Sequence, residues 1–207
     1  MIVIPNRLVF VHVPKAAGTS ISKFILHSKS LLEQGAVDIG ALHKTDKRYG
    51  GHIPRDQMEE LYPEWMTTLP VFAVCRHPYD RLLSGFLHWV RDRGYANGDY
   101  PEGFNFEYWV KNMGWKVDKD YPHAWTLPMT TWIREGDIVL RYENLMNDIH
   151  KMEKVLDKNM ILDARHNLGI KKLLGIDYLK NDIISADLKK YIQEKYKDDF
   201  ERFGYEG

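Results

Sequence analysis

Three short apolar runs stand out along the chain: Leu8 to Val13, Val71 to Cys75 and Ile138 to Leu140. Each has the length and β-branched content of a buried strand, and none alternates with polar residues, as expected where a parallel sheet is covered on both faces. Between and after them the apolar spacing changes to that of amphipathic helices. Ile21, Phe24, Ile25, Leu31 and Leu32 share one face of a helix predicted after the first strand. Leu145, Ile149, Met152 and Leu156 do so after the third strand, and Ile184, Leu188, Tyr191, Ile192 and Phe200 form a stripe near the C-terminus. Strands alternating with helices predict an α/β fold with a three-layer, open, mostly parallel sheet and right-handed crossovers. Ligands of such sheets bind beyond the carboxyl ends of the strands.

The stretch from Phe86 to Trp132 breaks this rhythm. It holds nearly half of the chain's aromatic residues in under a quarter of its length, punctuated by Gly94, Gly98, Pro101, Gly103, Pro122 and Pro128. Such a segment reads as an aromatic-rich helix-and-loop lobe. Its rings either pack a sparse local core or form part of a wall for a sugar or other planar acceptor, with His123 and Trp125 as the candidate contacts. No repeat, low-complexity tract or linker interrupts the 207 residues, which fit a single domain over 1–207 with the lobe (86–132) inside it.

Composition narrows the function classes. Lys plus Arg equals Asp plus Glu at 29 each, so no overall positive field draws the protein to nucleic acid or membrane. A local basic patch for a polyanionic acceptor is compatible with that balance. No apolar run approaches the roughly 20 residues of a membrane span. The start, Met1-Ile-Val-Ile-Pro-Asn, lacks the cationic segment of a signal peptide, and the single Cys75 can make no internal disulfide. These features lead to the expectation of a soluble, cytoplasmic protein; a membrane-anchored enzyme trimmed to its catalytic domain would look similar.

Two stretches carry candidate chemistry. The first strand runs into Pro14-Lys15-Ala16-Ala17-Gly18-Thr19-Ser20 and then a helix. Small residues let backbone N–H groups and the helix N-terminus converge on one oxyanion, Thr19 and Ser20 can donate hydroxyls or cap the helix, and Lys15 adds a mobile charge. The alternative is an ordinary capped turn. A nucleoside triphosphatase loop would place Lys directly before the Mg²⁺-binding hydroxyl, whereas here Gly18 is followed at once by Thr19. The third strand ends Leu140-Arg141-Tyr142-Glu143, with no evident Mg²⁺-binding Asp, so no metal is expected. The second strand continues into Arg76-His77-Pro78-Tyr79-Asp80-Arg81-Leu82-Leu83-Ser84-Gly85-Phe86. Pro78 suits a first helical turn, Arg76 can fork onto a phosphate with Ser84 adding a hydroxyl, and Arg81 reads as structural.

Phe10-Val11-His12-Val13-Pro14-Lys15-Ala16-Ala17-Gly18-Thr19-Ser20 resembles the 5′-phosphosulfate loop of sulfotransferases that use 3′-phosphoadenosine 5′-phosphosulfate (PAPS). The Arg76–Phe86 stretch resembles their 3′-phosphate motif. Val139-Leu140-Arg141-Tyr142-Glu143-Asn144-Leu145 and Tyr196-Lys-Asp-Asp-Phe200-Glu-Arg-Phe203-Gly-Tyr205 are similar to two later segments of the carbohydrate-directed (uronosyl-type) branch. One departure is Ala17, where that loop often has Gly. The resemblance implies a P-loop-like nucleotide-binding topology and transfer of the PAPS sulfuryl group to an acceptor hydroxyl, first of a carbohydrate and second of a tyrosine or small alcohol. It implies that Lys15, Ala16, Ala17, Gly18, Thr19 and Ser20 hold the 5′-phosphosulfate and that Arg76 and Ser84 hold the 3′-phosphate.

Sulfuryl transfer to a hydroxyl also needs a base. Arg48-Tyr49-Gly50-Gly51-His52-Ile53-Pro54 is similar to the segment carrying the catalytic His of uronosyl sulfotransferases, which makes His52 the candidate base beside Lys15 as the other catalytic residue. The plain alternative for His52 is a solvated loop histidine, and His12 is expected inside the first strand, either in the core or supporting the site from behind. Two other functions fit the fold: a non-catalytic nucleotide-binding protein, whose mark would be a degraded loop, and a small-molecule kinase, which would need ATP and Mg²⁺.

Overall fold

The computed structural model describes residues 1–42, 51–92, 103–113, 124–156 and 184–207. In chain order the elements are β1 Ile2–Ile4, β2 Leu8–Val11, α1 Gly18–His27, α2 Lys29–Glu33, β3 Val37–Asp38, α3 Ile39–Leu42, α4 Arg55–Leu61, α5 Pro63–Thr68, β4 Val71–Cys75, α6 Pro78–Asp92, α7 Phe106–Tyr108, β5 Ile138–Arg141, α8 Leu145–Asp148, α9 Ala186–Lys195 and α10 Lys197–Phe203, with short 3-10 and π turns between some of them. Internal contacts divide the chain into two units, one of Met1–Arg76 with Met129–Ile170 and one of His77–Pro128 with Lys171–Gly207.

The first unit is built on a five-stranded sheet in the order β3-β1-β2-β4-β5. The three apolar runs become β2, β4 and β5, and both of their pairings are parallel, with Val11 opposite Ala73 and Cys75 opposite Arg141. The expected α/β class holds. The sheet is nevertheless mixed, because β1 pairs antiparallel with both β2 and β3. β1 is only three residues, too short to register as a run. It turns back through Pro5-Asn6-Arg7, where Asn6 takes a φ of 58° and the Arg7 N–H reaches the Ile4 carbonyl at 3.0 Å. β1, β2 and β4 are fully buried, as unalternating apolar strands should be.

The first predicted helix is broken in two at Ser28, whose ψ of 111° is extended, so Leu31 is buried on α2 while Leu32 is 48% exposed. The stripe Leu145, Ile149, Met152 and Leu156 is buried, carried by α8 and the 3-10 turn that follows it. Arg55 at the start of α4 is buried; its Nη1 donates to both carboxylate oxygens of Asp137, at 3.1 and 2.9 Å, just before β5, and its Nε to Glu59 at 2.7 Å.

The second unit has its own core. Leu82, Leu83, Phe86, Trp89 and Val90 of α6 pack with Phe106, Trp109 and Val110 and with Ile184, Leu188, Ile192, Tyr196 and Phe200. Among its described residues the aromatic-rich segment supplies packing: Phe86, Trp89, Phe106 and Trp109 are buried here, while Trp132 is buried in the first unit. Arg81 is fully buried, donating to the carbonyls of Trp125 at 3.2 Å and Leu127 at 2.5 Å, and the Tyr196 hydroxyl donates to Thr126 O at 2.6 Å. No helix among the described residues is long and apolar enough to cross a membrane.

Candidate functional site

β2, β4 and β5 are neighbouring parallel strands, so the segments leaving their carboxyl ends emerge side by side. Those segments are His12–Ala17, Arg76 and Tyr142. Arg76 is 5% exposed and joins all three. Its Nη1 donates to the Lys15 carbonyl at 3.1 Å, and its Cζ lies 4.1 Å from the centre of the Tyr142 ring. Its Nε is buried and has no hydrogen-bond partner among the described residues. A buried guanidinium nitrogen without a partner is costly, and an acceptor oxygen of an anion is the group that would satisfy it.

The loop itself is shaped by two left-handed residues that are not glycine. Lys15 has a φ of 63° and Ala17 a φ of 64°. Ala17 is the N-cap of α1 and supplies no side-chain cap; Thr19 and Ser20, expected as possible caps, lie within the first turn and are exposed. Ser20 and Ile21 both send their N–H groups to the Ala17 carbonyl, at 2.9 and 3.2 Å. The N–H groups of Ala17, Gly18 and Thr19 reach no backbone carbonyl of the described residues, the state in which a helix start accepts an anion. Ala16 is buried behind the loop.

His12 lies just past β2 rather than inside it, which corrects its expected place in the strand. Its ring meets that of His52 edge-on, with centroids 4.7 Å apart. A Cβ on Gly18 would overlap the His12 ring, so glycine there is a requirement of close packing. Burial, and then the repulsion that a protonated His52, the N-terminal ammonium and Lys15 exert on an imidazolium, hold the His12 imidazole well below its ordinary pKa of 6.5. Gly51, before His52, has a φ of 88°, and its carbonyl stands where a Cβ on Gly40 would come within 3.0 Å. The two histidines help line a cavity of about 330 Å³, together with Thr19, Ser22 and Lys23 of α1. Lys15 and Arg76 are not among the residues lining it.

The turn after β5 is held by Asp148. Its carboxylate accepts from the Arg141 N–H at 2.7 Å and the Asn144 amide at 3.1 Å, and pairs with Lys151 at 3.1 Å. Burial alone would raise this carboxyl, yet the Arg141 N–H and the Lys151 ammonium hold it below the usual range.

Lys15, Ala16, Ala17, Gly18, Thr19, Ser20, His52 and Arg76 therefore all belong to the first unit. Ser84, half-buried on α6, and Trp125, half-buried with its ring 4.9 Å from His88, belong to the second. His123 lies outside the described residues. The sequence left His12 either in the core or supporting the site and gave Tyr142 no role; the signal for Tyr142 was its place in the Leu140-Arg141-Tyr142-Glu143 motif. No cluster of His, Cys, Asp and Glu able to hold a metal occurs among the described residues.

Among curated proteins and among solved structures, nothing matches this sequence. The Sulfotransferase family does match, over residues 2–206, so that the strands, the loop and both units fall within it, and the chain belongs to that family.

Proposed function

We propose that this chain transfers the sulfuryl group of PAPS to an acceptor hydroxyl, with a carbohydrate as the acceptor class that the resemblance to the uronosyl-directed branch favours. The observation that carries the reading is the junction of the two anion motifs: Arg76, with an unsatisfied buried Nε, bonded to the carbonyl of Lys15 in a loop of left-handed residues opening onto α1. When bound, PAPS supplies an activated sulfuryl group whose departure needs no protein-derived covalent partner.

In this reading the N–H groups of Ala17, Gly18 and Thr19, with the hydroxyls of Thr19 and Ser20, hold the 5′-phosphosulfate. The Lys15 ammonium stabilises the charge that grows on the leaving oxygen. Arg76 takes the 3′-phosphate, and Ser84 is assigned to the same phosphate from its place in the motif alone. His52 accepts the proton of the acceptor hydroxyl, and the neutral His12 beside it adds no competing charge. His123 and Trp125 are sequence-based candidates for acceptor contact.

The test is transfer of labelled sulfuryl from PAPS to a panel of glycans and phenols. His52→Ala should slow turnover by about 10²–10⁴-fold while donor affinity is kept, and Lys15→Ala should depress turnover more than donor affinity. Undiminished turnover in His52→Ala removes that residue as the base. Absence of transfer to every acceptor, with the nucleotide bound, would favour a non-catalytic binder.

A further inference from the structure

The segment Val139–Leu145 resembles a family motif, yet nothing in the reaction as described uses it. The structure places its Tyr142 directly against the guanidinium of Arg76, 4.1 Å from ring centre to Cζ. We infer that Tyr142 is a positioning residue for Arg76, fixing the guanidinium plane so that one edge is presented to a phosphate on the nucleotide's ribose. The inference rests on the proposed role of Arg76 and adds to it the residue that makes that role geometrically possible.

Three constraints on one side chain support this. The guanidinium carbon lies over the Tyr142 ring, 4.1 Å from its centre. The Lys15 carbonyl takes Nη1. What is left is the side-on edge made by Nε and Nη2, and Nε there is buried without a partner among the described residues. A planar fork held against an aromatic ring and at one corner presents its other edge in a fixed direction, the arrangement that bidentate phosphate recognition requires. Tyr142 is itself placed by the turn after β5, where Asp148 takes the Arg141 N–H at 2.7 Å, and β5 runs parallel beside the strand that ends at Arg76. A flat aromatic face is what the contact uses, so the phenol hydroxyl is not needed for it.

The experiment compares the affinities of adenosine 3′,5′-bisphosphate and adenosine 5′-monophosphate, measured by calorimetric titration. Their ratio reads the second phosphate alone, because general damage to the fold or to the shared 5′ end weakens both ligands together. Y142L, and Y142Q as a second non-aromatic variant, should lower the ratio by about tenfold, within the roughly 2- to 30-fold that a cation–π contact supplies. Y142F should keep it. Equal weakening of both ligands, an unchanged ratio in the non-aromatic variants, or a Y142F ratio as low as theirs would overturn the inference. R76A separates the two layers: a ratio unchanged in R76A removes the role of Arg76 on which the inference rests, whereas a ratio that falls in R76A but not in Y142L leaves that role standing and removes Tyr142 alone.

Discussion

Ala17 is the residue whose identity is hardest to reconcile with its conformation. At a φ of 64° an L-side chain is disfavoured by about 1–2 kcal/mol, and alanine has no polar group with which to offset it. Ala17→Gly should raise stability by about 0.5–1 kcal/mol once the larger entropy of an unfolded glycine is allowed for, or a few degrees in thermal melting, with nucleotide binding kept. A lower melting temperature in this variant would mean that the left-handed turn is not adopted. His12 gives a second prediction at this scale. In the unfolded chain its imidazole takes up a proton near its ordinary 6.5, while in the folded chain burial, first, and the nearby His52 and Lys15 charges keep it neutral well below that. The unfolded state then binds more protons, so this stabilisation is complete above about pH 6.5 and is lost as pH falls toward the folded value. Urea unfolding should show a slope in that window that His12→Gln flattens, and an unaltered slope would contradict the assignment.

Elements show what could and could not be read beforehand. β2, β4 and β5 were legible because each is an unbroken apolar run, and the helical stripes were legible because burial imposes a period on them. β1 and β3 were not, since strands of three and two residues leave no pattern. The break at Ser28 is a single extended residue inside a continuing stripe, invisible to periodicity. The loop's composition pointed to an anion site, but its two left-handed residues are not glycines, and the meeting of Arg76 with Tyr142 is created by strand order, which no local spacing encodes. The buried pair between Arg55 and Asp137 is of the same kind, since 82 residues separate its partners. It ties α4, which begins three residues after His52, to the chain just before β5. Asp137→Ala should cost about 1–3 kcal/mol by leaving the buried Nη1 of Arg55 without its partner, while Glu59, 2.7 Å from Nε, still compensates the charge; chemical denaturation measures it, and a change below about 0.5 kcal/mol would place that pair among the near-neutral surface pairs.

The whole molecule carries a balanced 29 basic and 29 acidic residues, so in the proposed function selectivity for an anionic nucleotide is assigned to local groups, the loop after β2 and the arginine after β4. The family match over residues 2–206 includes the second unit, whose core of α6, α7, α9 and α10 is as aromatic as the sequence indicated. In the proposed function Arg76 and the Lys15 loop select a nucleotide phosphorylated at both 3′ and 5′ positions without a divalent cation. Thermal melting with adenosine 3′,5′-bisphosphate, with ADP, and with ATP plus Mg²⁺ tests it most directly. The bisphosphate alone should stabilise the chain, by about 2.7 kcal/mol at 100 times its dissociation constant; equal or greater stabilisation by ATP with Mg²⁺, or none by the bisphosphate, would rule out the proposed site.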